Sequence, residues 1–129
     1  MLLRDIETDL IPVCEAEGIT VLPYYPIAKG LLTGKYRRDS SAPEGSRLAN
    51  ESDLADADFD VLEQLETYAK DHGQDLLTLA MSWLAAQPVT ASIIAGASKP
   101  EQPGANVAAV GWKMTPSNLA EIDAIVSKE

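Results

Sequence analysis

Two stretches of the chain place glycine, serine and lysine directly after short apolar runs. Val21-Leu22-Pro23-Tyr24 leads into Tyr25-Pro26-Ile27-Ala28-Lys29-Gly30, and Ser92-Ile93-Ile94-Ala95 leads into Gly96-Ala97-Ser98-Lys99-Pro100. In α/β proteins the loop that follows a strand and opens a helix is where backbone amides gather around phosphate. Residues Ala28 to Ala57 also contain Lys29, Lys35, Arg37, Arg38 and Arg47, five of the ten Lys and Arg residues in a chain of formal charge −10. That enrichment, in so acidic a protein, points to an anionic ligand. Tyr24, at the carboxyl end of the first apolar run, adds a ring that can stack on a planar heterocycle.

Other chemistries find less support. Cys14 is the only cysteine, so the chain has neither an internal disulfide nor a cysteine metal-ligand spacing. Its apolar surroundings predict a buried thiol, and a reducing cytoplasm is the expected location. His72 falls at a predicted helix end, where a surface role is expected, and Trp83 lies on an apolar helix stripe. Trp112 stands before Thr115 like a staple. No Gly-x-Ser-x-Gly elbow or Walker loop occurs. An excess of 20 acidic over 10 basic residues disfavours nucleic acid. The acidic run Glu51 to Asp60 reads as solvated surface. No apolar run approaches the length of about 18 residues that crosses a membrane, and the N-terminus lacks a secretory pattern.

The elements that must position these loops follow from periodicity. Asp5 to Glu17 reads as a helix with Ile6, Leu10, Val13 and Cys14 on one face, interrupted by Pro12 and stopped by Gly18. Ile19 to Tyr24 reads as a buried strand, and Ala28 to Ala57 as one long loop of the kind that forms functional lids. Helices are predicted over Phe59 to Asp71, ended by His72-Gly73, and over Leu76 to Gln87, capped by Asp75. Thr90 to Ala95 is the second strand. A short helix from Lys99 or Pro100 to Ala109 is weakened by Pro103 and Gly104, and Thr115-Pro116 starts a last helix that runs to Ser127. The count is two parallel strands and about five helices, a mostly helical α/β domain over 1–129. A complete eight-stranded α/β barrel typically needs about 250 residues.

Tyr24-Tyr25-Pro26-Ile27-Ala28-Lys29-Gly30-Leu31-Leu32-Thr33-Gly34-Lys35-Tyr36 resembles the aldo-keto reductase signature Tyr-Ser-Pro-Leu-Ala-Arg-Gly-Leu-Leu-Thr-Gly-Lys-Tyr, in the subgroup that includes bacterial reductases and potassium-channel β subunits. Gly96-Ala97-Ser98-Lys99-Pro100-Glu101-Gln102 and Asn106 are similar to its later Gly-Ala-Ser-Ser-Pro-Glu-Gln-Leu-x-Glu-Asn. Leu79 to Pro88 and Met114-Thr115-Pro116 match in order as well. The resemblance implies the carboxyl-terminal part of a (β/α)8 TIM barrel, with NADP(H) as cofactor. By position, it implies that Tyr24 stacks on the nicotinamide. Tyr25, Pro26, Ile27, Ala28 and Lys29 would wrap the pyrophosphate, Lys35 and Arg47 would meet the phosphates, and Gly96, Ser98, Gln102 and Asn106 would hold the adenosine end. Pro103 and Ala105 depart from the family's Leu and Glu, and Tyr25 stands where the family has a small Ser.

The family's catalytic Asp, Tyr, Lys and His lie on earlier strands, so the resemblance assigns no catalytic residue and no metal to this chain. The expected function is that of a carbonyl or alcohol oxidoreductase fragment that carries much of the NADP(H) site. Alone, it would be inactive and would bind cofactor weakly or not at all. Its expected partner is a second copy or a missing amino-terminal half. The alternatives are a non-catalytic cofactor-binding or interaction module, or an oligomerising structural remnant.

Overall fold

The structure, a computed structural model, describes residues 1–49 and 54–127. Five α-helices appear among them: α1 (Leu10–Glu17), α2 (Phe59–Asp71), α3 (Leu76–Ala85), α4 (Gln102–Ala108) and α5 (Pro116–Val126). Two short 3-10 segments, Asp5–Glu7 and Ala28–Thr33, also occur among the described residues.

The two predicted strands are a correction. Among the described residues they reduce to isolated parallel bridges, Val21 with Thr90 and Tyr24 with Ile94. The Val21 amide donates to the Val89 carbonyl at 2.7 Å and the Ala91 amide to the Val21 carbonyl at 3.1 Å; Ile94 then donates to Pro23 at 3.0 Å. Pro23 has no N–H to return. The step from Val21 to Tyr24 is matched by one a residue longer, from Thr90 to Ile94, so the register slips before a continuous ladder can form. The parallel direction expected for a β-α-β crossover is kept.

The first predicted helix also divides. A 3-10 turn covers Asp5–Glu7, and α1 starts afresh at Leu10. This places Pro12 in the first turn of α1, where its missing N–H would have had no helical partner. Gly18 ends α1 at φ 65°, as expected, and Cys14 is its only buried residue.

The core lies among the later helices. Leu62, Leu65 and Ala69 of α2 pack with Leu76, Leu79, Ala80, Trp83 and Leu84 of α3 and with Ile122 of α5. Asp58 accepts from the Val61 amide at 3.0 Å and Asp75 from the Thr78 amide at 2.7 Å, so each helix begins on a side-chain cap. Thr115 and Asn118 close a reciprocal box at the start of α5. Pro103 does not break α4; it falls in its first turn, and the helix begins at Gln102, later than the sequence suggests. Buried Ser82 of α3 donates to the Ala109 carbonyl at 2.8 Å and accepts from the Trp112 amide at 3.2 Å, tying α4 and the link to α5 onto the core.

The bridged ribbon contrasts with this packing. Leu22 keeps 53% of its surface and Ile94 54%, so the buried strand expected over Ile19 to Tyr24 is half exposed. Leu79→Ala is expected to cost about 2–5 kcal/mol, as for a fully buried leucine, while Leu22→Ala stays within about 0.5 kcal/mol. Urea denaturation of the two variants checks this, and equal losses would move the core to the ribbon.

Candidate functional site

The Tyr24–Ile94 bridge sets the carboxyl ends of the two apolar stretches side by side, so both glycine and lysine loops leave from one edge. Tyr24 is 73% exposed, its ring centroid 5.1 Å from that of Tyr25. Beyond it the backbone coils tightly: Tyr25, Ala28 and Lys29 all take left-handed conformations, with φ of 53°, 46° and 56°. Each costs a non-glycine residue on the order of 1 kcal/mol, and such cost concentrates where a loop must hold a particular shape. The Ala28 amide donates to the Tyr25 carbonyl at 2.9 Å and Gly30 to Ile27 at 2.8 Å. Gly30, at φ 103°, leaves room for Lys35, whose Nζ would lie 2.9 Å from a Cβ at that position.

The predicted long loop is an anchored segment. Leu32, Tyr36 and Leu48 are buried, and the Leu48 amide donates to the Tyr36 hydroxyl at 3.2 Å. Four of its five cations divide into two kinds. Arg37 forms a two-pronged pair with Glu66 of α2, at 2.5 and 3.0 Å, and Arg38 pairs with Asp60 and, at 3.2 Å, with Glu63. These two arginines are paired with carboxylates of α2 at the surface, so the charge count of the sequence overstates what a ligand would meet. Lys35 instead stands 5.0 Å from the Tyr36 ring centroid, and the Arg47 guanidinium 4.9 Å from that of Tyr25, donating to the Tyr25 hydroxyl at 3.1 Å. A ring supports a cation without cancelling its charge. Among the described residues, Lys35 and Arg47 have no carboxylate partner within salt-bridge distance.

At the second loop, the Gln102 carboxamide oxygen accepts from the Ser98 amide at 2.6 Å and the Lys99 amide at 3.1 Å. Gln102 and Ser98 are thus brought together at the start of α4, and Asn106 lies one turn further along it. Gly96 follows the ribbon directly, with open space where a Cβ would stand. A groove of about 740 Å³ between Arg38, Ser40, Leu48, Leu54 and Phe59 contains none of the predicted cofactor residues.

Sequence reasoning missed two arrangements. Asp56, Asp58 and Asp60 of the acidic run are exposed, as expected of solvated surface, but Asp58 also caps α2 and Asp60 also pairs with Arg38; Glu51 to Asp53 lie outside the described residues. Charge alternation between the loop and α2 was the available signal. Trp112 was read as a staple, but its ring stacks with Tyr68 at 6.3 Å and lies 5.4 Å from His72. The Tyr68 hydroxyl donates to Glu121 at 2.9 Å and accepts from Asn118 at 3.0 Å, which makes this cluster a brace between α2 and α5.

The two loops thus leave one edge of a parallel-bridged ribbon that is accompanied by helices. The chain belongs to the aldo/keto reductase family, whose model matches residues 1–127. That family's fold is the (β/α)8 barrel. It is 36% identical to an NADH-specific methylglyoxal reductase of Escherichia coli over 98% of its own length and 38% of that protein's. A putative voltage-gated potassium channel subunit beta of Schizosaccharomyces pombe is 35% identical over 98% of the chain and 40% of that protein. Among solved structures, a glycerol dehydrogenase of Gluconobacter oxydans superposes with a TM-score of 0.78 at 29% identity, covering 97% of this chain and 39% of that one. The chain thus spans about 40% of the length of the curated relatives it matches.

The Arg37 tether has a pH signature. The Arg37 hydrogen bonds, with help from Lys70, hold the Glu66 carboxyl below its usual value against the opposing effect of burial. A depressed folded-state value stabilises the protein above the unfolded value of about 4.3, and that stability is lost as pH falls through the folded value. Native chain is therefore expected to lose stability below about pH 4 more steeply than Glu66→Gln. Parallel acid titrations of denaturation midpoints test this, and superimposable slopes would contradict it.

Proposed function

We propose that the chain is the carboxyl-terminal part of an aldo/keto reductase barrel and supplies much of the NADP(H) site of a carbonyl or alcohol oxidoreductase. The observation that carries this reading is the parallel bridging that brings both loops to one edge. Tyr24, with its ring exposed, would stack on the nicotinamide. Tyr25, Pro26, Ile27, Ala28 and Lys29 would follow the pyrophosphate, and Lys35 and Arg47, whose charges no described carboxylate cancels, would meet the phosphates. Gly96, Ser98, Gln102 and Asn106 would receive the adenosine end, with Gln102 exchanging its own contacts to the Ser98 and Lys99 amides. Bound there, the cofactor would supply the hydride; none of this chain's residues is assigned the proton transfer, and the proposed location is the cytoplasm.

NADPH titration followed by its fluorescence is expected to give a dissociation constant above about 0.1 mM, because half a site orders the same ligand with fewer contacts. The affinity should fall with salt and disappear in Lys35→Ala with Arg47→Ala. Tight, salt-insensitive binding, or binding unchanged by the double substitution, would contradict the reading. Carbonyl reduction by NADPH should not exceed the buffer rate; turnover abolished by Tyr24→Ala would equally contradict it.

The half-exposed ribbon supports a partner as well. Ile19, Leu22, Tyr24 and Ile94 expose apolar surface beside unpaired backbone, which favours pairing with a second copy or with the amino-terminal remainder of the barrel. Light scattering on the isolated chain should give a mass that rises with concentration. A concentration-independent monomer would show that the ribbon is stable uncovered.

A further inference from the structure

We propose that Tyr25 is a positioning residue that presets the Arg47 guanidinium for the cofactor phosphates. The inference rests on the cofactor reading above and adds a role for Tyr25, one of the residues at which this chain leaves the family motif. A small Ser at that position could neither stack under a guanidinium nor reach it.

The geometry gives Arg47 two contacts from one side chain. Its guanidinium carbon lies 4.9 Å from the Tyr25 ring centroid, and its Nη2 donates to the Tyr25 hydroxyl at 3.1 Å. An arginine side chain otherwise samples many rotamers, and fixing it costs entropy that weakens any ligand it binds. Two features describe Tyr25 itself. Its backbone sits at φ 53°, a conformation that bulky residues rarely adopt, and its ring leans on that of Tyr24 at 5.1 Å. The guanidinium thus rests on the neighbour of the ring proposed to carry the nicotinamide. Because a hydroxyl and a ring are its partners, its full charge remains for an anion, unlike that of Arg37 or Arg38.

A double-mutant cycle on NADPH binding separates positioning from simple packing. Tyr25→Ser should weaken binding about fivefold in the native background and produce no further loss in Arg47→Ala. Tyr25→Phe, which keeps the ring and removes the hydroxyl, should fall between native and Tyr25→Ser. Thermal unfolding by circular dichroism confirms that each variant is folded, and if Tyr25→Ser is not, the cycle is run with Tyr25→Phe. Equal losses from the Tyr25 change with and without Arg47 would overturn the proposal, as would tighter binding by Tyr25→Ser, which would make Tyr25 an obstruction. These outcomes leave the cofactor reading standing, whereas a native chain that binds no NADPH at all removes both.

Discussion

Two backbone hydrogen bonds at Val21 are the constraint on which the rest of the site depends. Its amide reaches Val89 and its carbonyl receives Ala91, and through them segments far apart in sequence run parallel. A parallel pair needs a long crossover. Here the crossover contains the anchored loop, α2 and α3, so the same bonds that align the ribbon also draw the helical core against it. Without that alignment, Tyr24 and Gly96 would have no reason to share an edge.

Stability and site occupy different sides of the molecule. Leu65, Leu79 and Ile122 are fully enclosed between α2, α3 and α5, while the residues nearest the proposed cofactor carry exposed rings, left-handed backbone and uncancelled charge. The loop joins the two sides. Leu32 and Leu48 sink it into the core, and Arg37 and Arg38 fasten it to α2, while Lys35 and Arg47 lie against the rings of Tyr36 and Tyr25. Arg37 and Arg38 serve the fold, and the proposal gives Lys29, Lys35 and Arg47 to the ligand.

The helices were legible in the sequence because their signals are local. Asp58 and Asp75 cap where cap residues are expected, Gly73 turns the chain at φ 69°, and the α3 stripe from Leu76 to Leu84 is buried as its spacing requires. The ribbon was less legible. Its direction followed from the crossover, but its shortness depends on Pro23 and on a register slip that only the paired segment reveals. Among the site residues, Tyr24 and the loop motifs were identified from family resemblance and from charge. The division of the cations was not, since whether an arginine meets a carboxylate or a tyrosine is decided by tertiary packing. Pro12 and Pro103 carry a related lesson: each reads as a helix breaker, yet each lies in the first turn of a helix that starts later than apolar spacing suggests.

The alignment at Val21 is tested most directly by nuclear magnetic resonance couplings transmitted through hydrogen bonds. The account predicts measurable couplings from the Ala91 amide nitrogen to the Val21 carbonyl carbon and from the Val21 amide nitrogen to the Val89 carbonyl carbon. Couplings to any other pair of residues, or none together with amide exchange at the rate of an unfolded chain, would contradict it.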